Sequence, residues 1–292
     1  MIRIRVRAAA KINLSLGVGA VRADGYHQVR TVLQAVELHD TLTFSERPGP
    51  FTMTCSDPDV PADARNLIWR AALELANAAG RPGIDGIAVR VQKRVPMEAG
   101  LGGGSADAAA TLRALSRIWK LNLEPTALAS VARQLGADVP FFLMGGAAYG
   151  SGRGDDLLPL ADIRPFHVVI ARPAVGVQTA AAYRWFDEDG AGQAPAQALA
   201  AWPEALLSVR NDLEPSVTRR HPEVAGLVAR LEQAGAEAAA MSGSGSAVFG
   251  LFGDPRRAGR AARAVAGPGV RVFRTRTLGR RAYARLVAPA GA

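Results

Sequence analysis

Apolar and polar residues alternate from the start of the chain: Ile2, Ile4 and Val6 interleave with Arg3, Arg5 and Arg7. A period of two puts one set on each face of a β-strand, and it lacks the unbroken apolar core of a signal peptide. The alternation continues through AKINLSL, with Lys11 and Asn13 on one face and Ile12, Leu14 and Leu16 on the other. It resumes from Val29 to Leu38 after an Asp24-Gly25 turn. The spacing then changes to three and four. Leu67, Ile68, Ala71, Ala72 and Leu75 predict a helix over 66–79, with Asn66 as cap and Gly80 as stop. Ile87, Val89, Val91 and Val95 read as strand, and Ala108, Leu112, Leu115 and Trp119 as helix.

A further helix runs from about Pro125 to Leu135 and ends at Gly136; residues 145–156 read as strand, turn and strand. FHVVIARP restarts a strand, and a Gly, Ala and Pro-rich stretch near 190–203 reads as loop. Pro222 suits the first position of a helix that Gly235 stops, and 236–252 supplies strand, a Gly/Ser loop at 242–246, and strand. The mixture predicts an α+β chain in two domains, 1–158 and 159–292.

Between the Val95 strand and the Leu112 helix lies PMEAGLGGGSADAAA. Gly100, Gly102, Gly103 and Gly104 remove the Cβ atoms that keep backbone amides from a bulky anion. The unpaired amides and dipole of the following helix favour negative charge. A Walker A loop needs Lys and then Ser or Thr after its last Gly, whereas Ser105-Ala106 follow Gly104; a dinucleotide fingerprint needs Gly at 105. Taken alone, the cluster is a phosphate cradle or a ligand-free helix entry. Tyr26-His27 at a loop tip are surface groups or ligand contacts. Asp138, between a helix stop and the apolar run Pro140 to Met144, is a turn or cap residue, or an acid poised beside a cation to accept a proton.

Composition narrows the class. The chain has 292 residues, 49% hydrophobic and 21% charged, which describes a globular protein large enough for two cores. One cysteine, Cys55, excludes an internal disulfide and fits a reducing, cytoplasmic setting. No window approaches the uninterrupted apolar length of a membrane span. The net charge of +9 raises the question of nucleic acid. Its 35 basic residues include only three Lys (Lys11, Lys93, Lys120), and the Arg are scattered with no interleaved aromatics, so neither nucleic acid nor membrane is an expected partner.

Together these segments resemble the GHMP small-molecule kinases: a Lys-bearing first strand, the loop 96–105 and the late Gly/Ser loop 241–246 stand in that superfamily's order. Asp24-Gly25-Tyr26-His27 and Gly136-Ala137-Asp138-Val139-Pro140-Phe141-Phe142 resemble its branch acting on a cytidylyl methylerythritol. The resemblance implies a two-domain fold with an N-terminal nucleotide domain and a C-terminal substrate domain, and ATP and Mg²⁺ as requirements. It implies Asp138 as general base with Lys11 as partner. The nucleotide contacts it implies are Pro96, Met97, Gly100, Leu101, Gly102, Gly103, Gly104, Ser105 and Ala106, with the Ser105 hydroxyl a candidate for the metal. The substrate contacts it implies are Asn13, Tyr26, His27, Thr179, Tyr183, Gly243, Ser244 and Gly245, with Tyr26 and Tyr183 (Phe186 as second choice) sandwiching the cytosine and His27 reading its edge. The alternatives are a homoserine- or mevalonate-type kinase and a non-catalytic ATP-binding protein. The expected assembly is a monomer or weak homodimer. Two departures from the family's pattern stand out: Ala9 replaces a usual Pro, and Glu98-Ala99 replace small loop residues.

Overall fold

The computed structural model describes residues 2–190 and 209–291. Most of the loop read near 190–203 therefore lies outside the described residues.

The alternation at the start becomes β1 (Arg3–Val21), whose first residues switch between exposed and buried as the sequence does. From Ala8 both faces are buried, because this part of the strand runs between a helical layer and the second sheet. β1 pairs antiparallel with β2 (His27–Glu46), which pairs with β4 (Ile87–Gln92). The short β3 (Thr52–Cys55) lies parallel to β4 at one edge, and the hairpin of β5 (Ala147–Ser151) and β6 (Asp156–Pro159) pairs with β2. At β1's other side lies β8 (Arg210–Asn211), contributed by the second half of the chain. Residue 158, taken as the domain border, falls inside β6.

Helices α1 (Leu67–Ala78), α2 (Gly103–Ile118) and α3 (Pro125–Leu135) cover this sheet and bury Leu75, Leu112, Leu115 and Leu135 against Leu42, Phe44 and Val89. Asn66 caps α1 as expected, accepting from the Ile68 amide at 2.9 Å.

The second sheet is antiparallel, in the order β11 (Arg271–Arg276), β7 (His167–Arg172), β10 (Val248–Phe252), β9 (Ala238–Met241). Its outer face packs on α7 (Pro222–Gln233) and α8 (Pro255–Val265), whose Leu227, Leu231 and Val265 share a core with α5 (Thr179–Glu188) and α6 (Glu214–Arg220). The inner face meets the first sheet directly: Ile12, Leu14, Val36 and Leu101 form one cluster with Val168, Ile170, Ala240 and Phe249. At the C-terminus, α9 (Arg280–Val287) returns to the first unit and buries Tyr283 against Gly145, where an added Cβ would come within 2.0 Å of the ring. Its hydroxyl donates to the Phe142 carbonyl at 2.6 Å, bracing α4 (Val139–Met144), the helix that follows Asp138.

Candidate active site

The glycine loop is shaped by the second unit. Gly100 has φ +69°, and a Cβ there would lie 1.8 Å from the Ser242 carbonyl oxygen, so only glycine allows this approach. The Ser242 hydroxyl donates to the Gly100 carbonyl at 3.0 Å, and the Glu98 carbonyl accepts from the amides of Val177 and Ser246. Gly102, in the left-handed region, caps α2, and its missing Cβ makes room for the Phe142 ring and the Lys11 side chain, 3.3 Å away at Cε. The first amides of α2 have no partner four residues back, an arrangement that favours negative charge. Glu98 itself has φ +50°, and its carboxylate lies against Gly176, where a Cβ would meet Oε2 at 2.6 Å.

Lys11 rises from β1 into this space. Its ammonium is buried and lies 3.5 Å from Asp138 Oδ2, and it donates to Asn13 Oδ1 at 2.6 Å. Asn13 in turn donates to Thr31, whose hydroxyl donates to the Ser15 carbonyl, so the amide is fixed and the ammonium is aimed. Asp138 occupies the N-cap position of α4 without making a capping bond, and 37% of its side chain is exposed. It is thus neither a cap nor a deeply buried acid: its carboxylate opens into a cavity of about 860 Å³.

That cavity collects most of the residues singled out from the sequence. Lys11, Asn13, Asp138, Pro96, Met97, Gly100 to Ser105, Tyr26, His27, Thr179, Tyr183, Gly243 and Ser244 all line it. Ala106 is buried behind the loop, and Gly245 packs under the Met241 sulfur instead of lining the cavity. Thr179 and Ser244 hydroxyls lie 3.1 Å apart. Tyr26 is 57% exposed. His27 stacks on Tyr183, centroids 5.3 Å apart, with Nδ1 2.9 Å from the Gly19 carbonyl and Nε2 3.2 Å from Asp187. Burial, and then the Asp138 charge, push the Tyr183 phenol up. Phe186 sits in the second core, edge-on to His27.

Sequence reasoning passed over a second charged cluster behind the loop. Lys93 lies between Asp40 at 2.5 Å and Asp107 at 2.9 Å, all three nearly inaccessible. Asp40 also accepts the amides of Arg94 and Val95. Burial works against the Lys93 charge, but attraction from Asp107 and Asp40 offsets it and holds the ammonium above its usual range. Burial pushes the Asp107 carboxyl up to about 7, with Lys93 pulling it down and Asp40 adding to the rise. The one available signal was the rarity of lysine in the chain.

The sequence matches the N-terminal domain of GHMP kinases over residues 66–146 and their C-terminal domain over 195–270. It is 44% identical to the 4-diphosphocytidyl-2-C-methyl-D-erythritol kinase of Pelotomaculum thermopropionicum, over 86% of this chain and 90% of that one. The Geobacillus thermodenitrificans enzyme of the same name is 38% identical over 96% and 98%. The chain belongs to the 4-diphosphocytidyl-2-C-methyl-D-erythritol kinase family of GHMP kinases. A crystal structure of a 4-(cytidine 5'-diphospho)-2C-methyl-D-erythritol kinase superposes with a TM-score of 0.80 at 37% identity, covering 94% of this chain and 99% of that one. Homoserine kinase from Cytophaga hutchinsonii, at 19% identity and a TM-score of 0.71, shares the fold over 100% of this chain and 97% of its own. As a GHMP kinase the chain uses ATP as phosphate donor. Among the described residues no helix is long and apolar enough to cross a membrane.

Proposed function

We propose that this kinase transfers the γ-phosphoryl group of ATP to the 2-hydroxyl of 4-diphosphocytidyl-2-C-methyl-D-erythritol. The observation that carries the reading is the meeting of Lys11 and Asp138, far apart in sequence, in the cavity that also holds the glycine loop and Tyr26.

Phosphoryl transfer asks little covalent chemistry of a protein; it asks for an aligned nucleophile and compensation of phosphate charge. Asp138 Oδ2 accepts the proton of the attacking tertiary hydroxyl, a poor acid, and this contributes about 10²- to 10⁴-fold. Lys11, aimed by Asn13, balances the negative charge that develops there. The amides opening α2 hold the donor's phosphates. Mg²⁺ is an ion that binds chiefly through phosphate oxygens and water with one or two protein oxygens. The Ser105 hydroxyl, in the first turn of α2, would hold the ion, which would supply further charge neutralisation.

Tyr26 and Tyr183 stack the cytosine, with His27 at its edge; Nε2 then exchanges Asp187 for the base. Homoserine and mevalonate carry no nucleobase for these rings. A coupled ADP-release assay comparing the cytidylyl substrate with homoserine and mevalonate tests the reading, and turnover of either small acid in preference to the cytidylyl compound overturns it. Tyr26→Ala is expected to remove about 1–3 kcal/mol of stacking and to appear as a higher KM for the cytidylyl substrate. A change confined to the KM for ATP contradicts the assignment of Tyr26.

A further inference from the structure

Among the described residues three cations line the cavity: Lys11, Lys93 and Arg153. Two of them stand at the glycine-loop end, within 3.3 Å of where a Cβ would sit on Gly102 or Gly103, and both are already engaged by aspartates. Arg153 stands at the other end, its guanidinium carbon 5.3 Å from the centroid of the Tyr26 ring. Of the carboxylates there, Asp24 beside Tyr26 is answered by Arg22 at 3.2 Å, whereas Asp187 beside His27 is unfavourable for a nearby anion unless a cation stands close to it.

The Arg153 side chain is held in place. Asp155, itself buried, accepts from Nη2 at 2.6 Å. Both residues belong to the β5–β6 hairpin, which the Val29 amide ties to β2 by donating to the Gly152 carbonyl at 2.7 Å. A guanidinium carries five N–H donors in a planar fork. With one edge on Asp155 and a face over Tyr26, the remaining donors are available to phosphate oxygens, and 30% of the side chain stays accessible.

We propose that Arg153 is a further substrate-binding residue, supplying the cationic contact to the substrate's diphosphate at the nucleobase end of the cavity. This rests on the proposed function, which brings a diphosphate joined to a cytidine into that end. The Tyr26 ring and the Arg153 guanidinium then form one wall, the ring serving the base and the cation serving the phosphates next to it.

The test is calorimetric titration of the full-length protein and its Arg153→Gln variant with CDP and with cytidine, which lacks the phosphates. Arg153→Gln is expected to weaken CDP binding about tenfold or more and cytidine binding less than about twofold. Added salt should narrow the wild-type preference for CDP, and the variant's hardly at all. In turnover, KM for the cytidylyl substrate rises by a similar factor, with kcat and the KM for ATP within about twofold, and Arg153→Lys recovers part of the loss. Equal CDP binding by variant and wild type overturns the proposal. So does a parallel loss of CDP and cytidine, which makes Arg153 only a brace for Tyr26. A wild-type protein that neither binds CDP nor turns over the cytidylyl substrate overturns the proposed function instead. Melting curves that coincide within a few degrees establish that the variant is folded.

Discussion

Lys11 and Lys93 both point their ammonium groups at aspartates, a few residues of loop apart, and the surroundings give them different work. Lys93 has two carboxylates in full burial; Asp40 is completed by two main-chain amides, while Asp107 keeps one oxygen, Oδ1, without a hydrogen-bond partner. Lys11 has one carboxylate, and that carboxylate is more than a third exposed and faces the cavity. The carboxylates of this cluster are closed off, so they present no oxygen to a reacting hydroxyl, and the cluster ties β2, the approach to the glycine loop and α2 together. An open pair keeps a carboxylate oxygen that a substrate can reach. The number of partners and the access of solvent, not the presence of a Lys–Asp contact, separate an enclosed strut from a pair open enough for the catalytic role proposed above.

Four substitutions press on this contrast. Lys93→Met leaves Asp40 and Asp107 facing each other in a buried space, and unfolding in urea should show a loss of about 3–5 kcal/mol. Unchanged stability would remove the structural role of the cluster. Asp138→Asn should lower kcat about a hundredfold or more while leaving ATP binding and stability nearly unchanged, because the lost ion pair is partly solvated. Near-normal turnover excludes Asp138 as the base. Asp107→Asn probes the buried side by pH. A carboxyl that stands at about 7 in the folded protein and near 3.8 when unfolded keeps its proton longer in the folded state. Stability should therefore be highest below about pH 4 for this group and fall as the pH rises towards 7. The variant should lose that slope in chemical denaturation across the range; an unaltered slope assigns it to other groups. Gly102→Ala tests how closely Lys11 is packed against the loop. Its Cβ would press on the buried Phe142 ring and on Lys11 at a φ of +70°, so stability and kcat should both fall, and a variant with wild-type stability and turnover would break the link.

The elements of periodic segments were legible in the sequence because their burial is one-sided: α3 occupies Pro125–Leu135, the span its spacing predicts, and Asn66 caps α1 as read. Strand β1 was legible as alternation through Leu16; what the alternation did not show is that from Ala8 both faces are buried, so that Lys11 and Asn13 face an internal cavity instead of open solvent. The run after Asp138 was seen as apolar but not as the helix α4, which is too short to show a period. The glycine loop and Asp138 could be singled out as candidates from spacing and resemblance, and the fold brings them to one cavity. The Asp40–Lys93–Asp107 cluster could not, since three charged residues spread over three elements leave no pattern along the chain until folding joins them. The stacking of His27 on Tyr183 likewise depends on α5 lying across from the β1–β2 turn, a tertiary fact.

The carbonyl of Glu98 and the backbone of Gly100 are both gripped by the segment around Ser242 to Ser246. Anyone building a hybrid from two such enzymes therefore inherits a constraint: a donor half exchanged for its substrate preference must bring a matching 242–246 segment, or the recipient's nucleotide loop loses its mould.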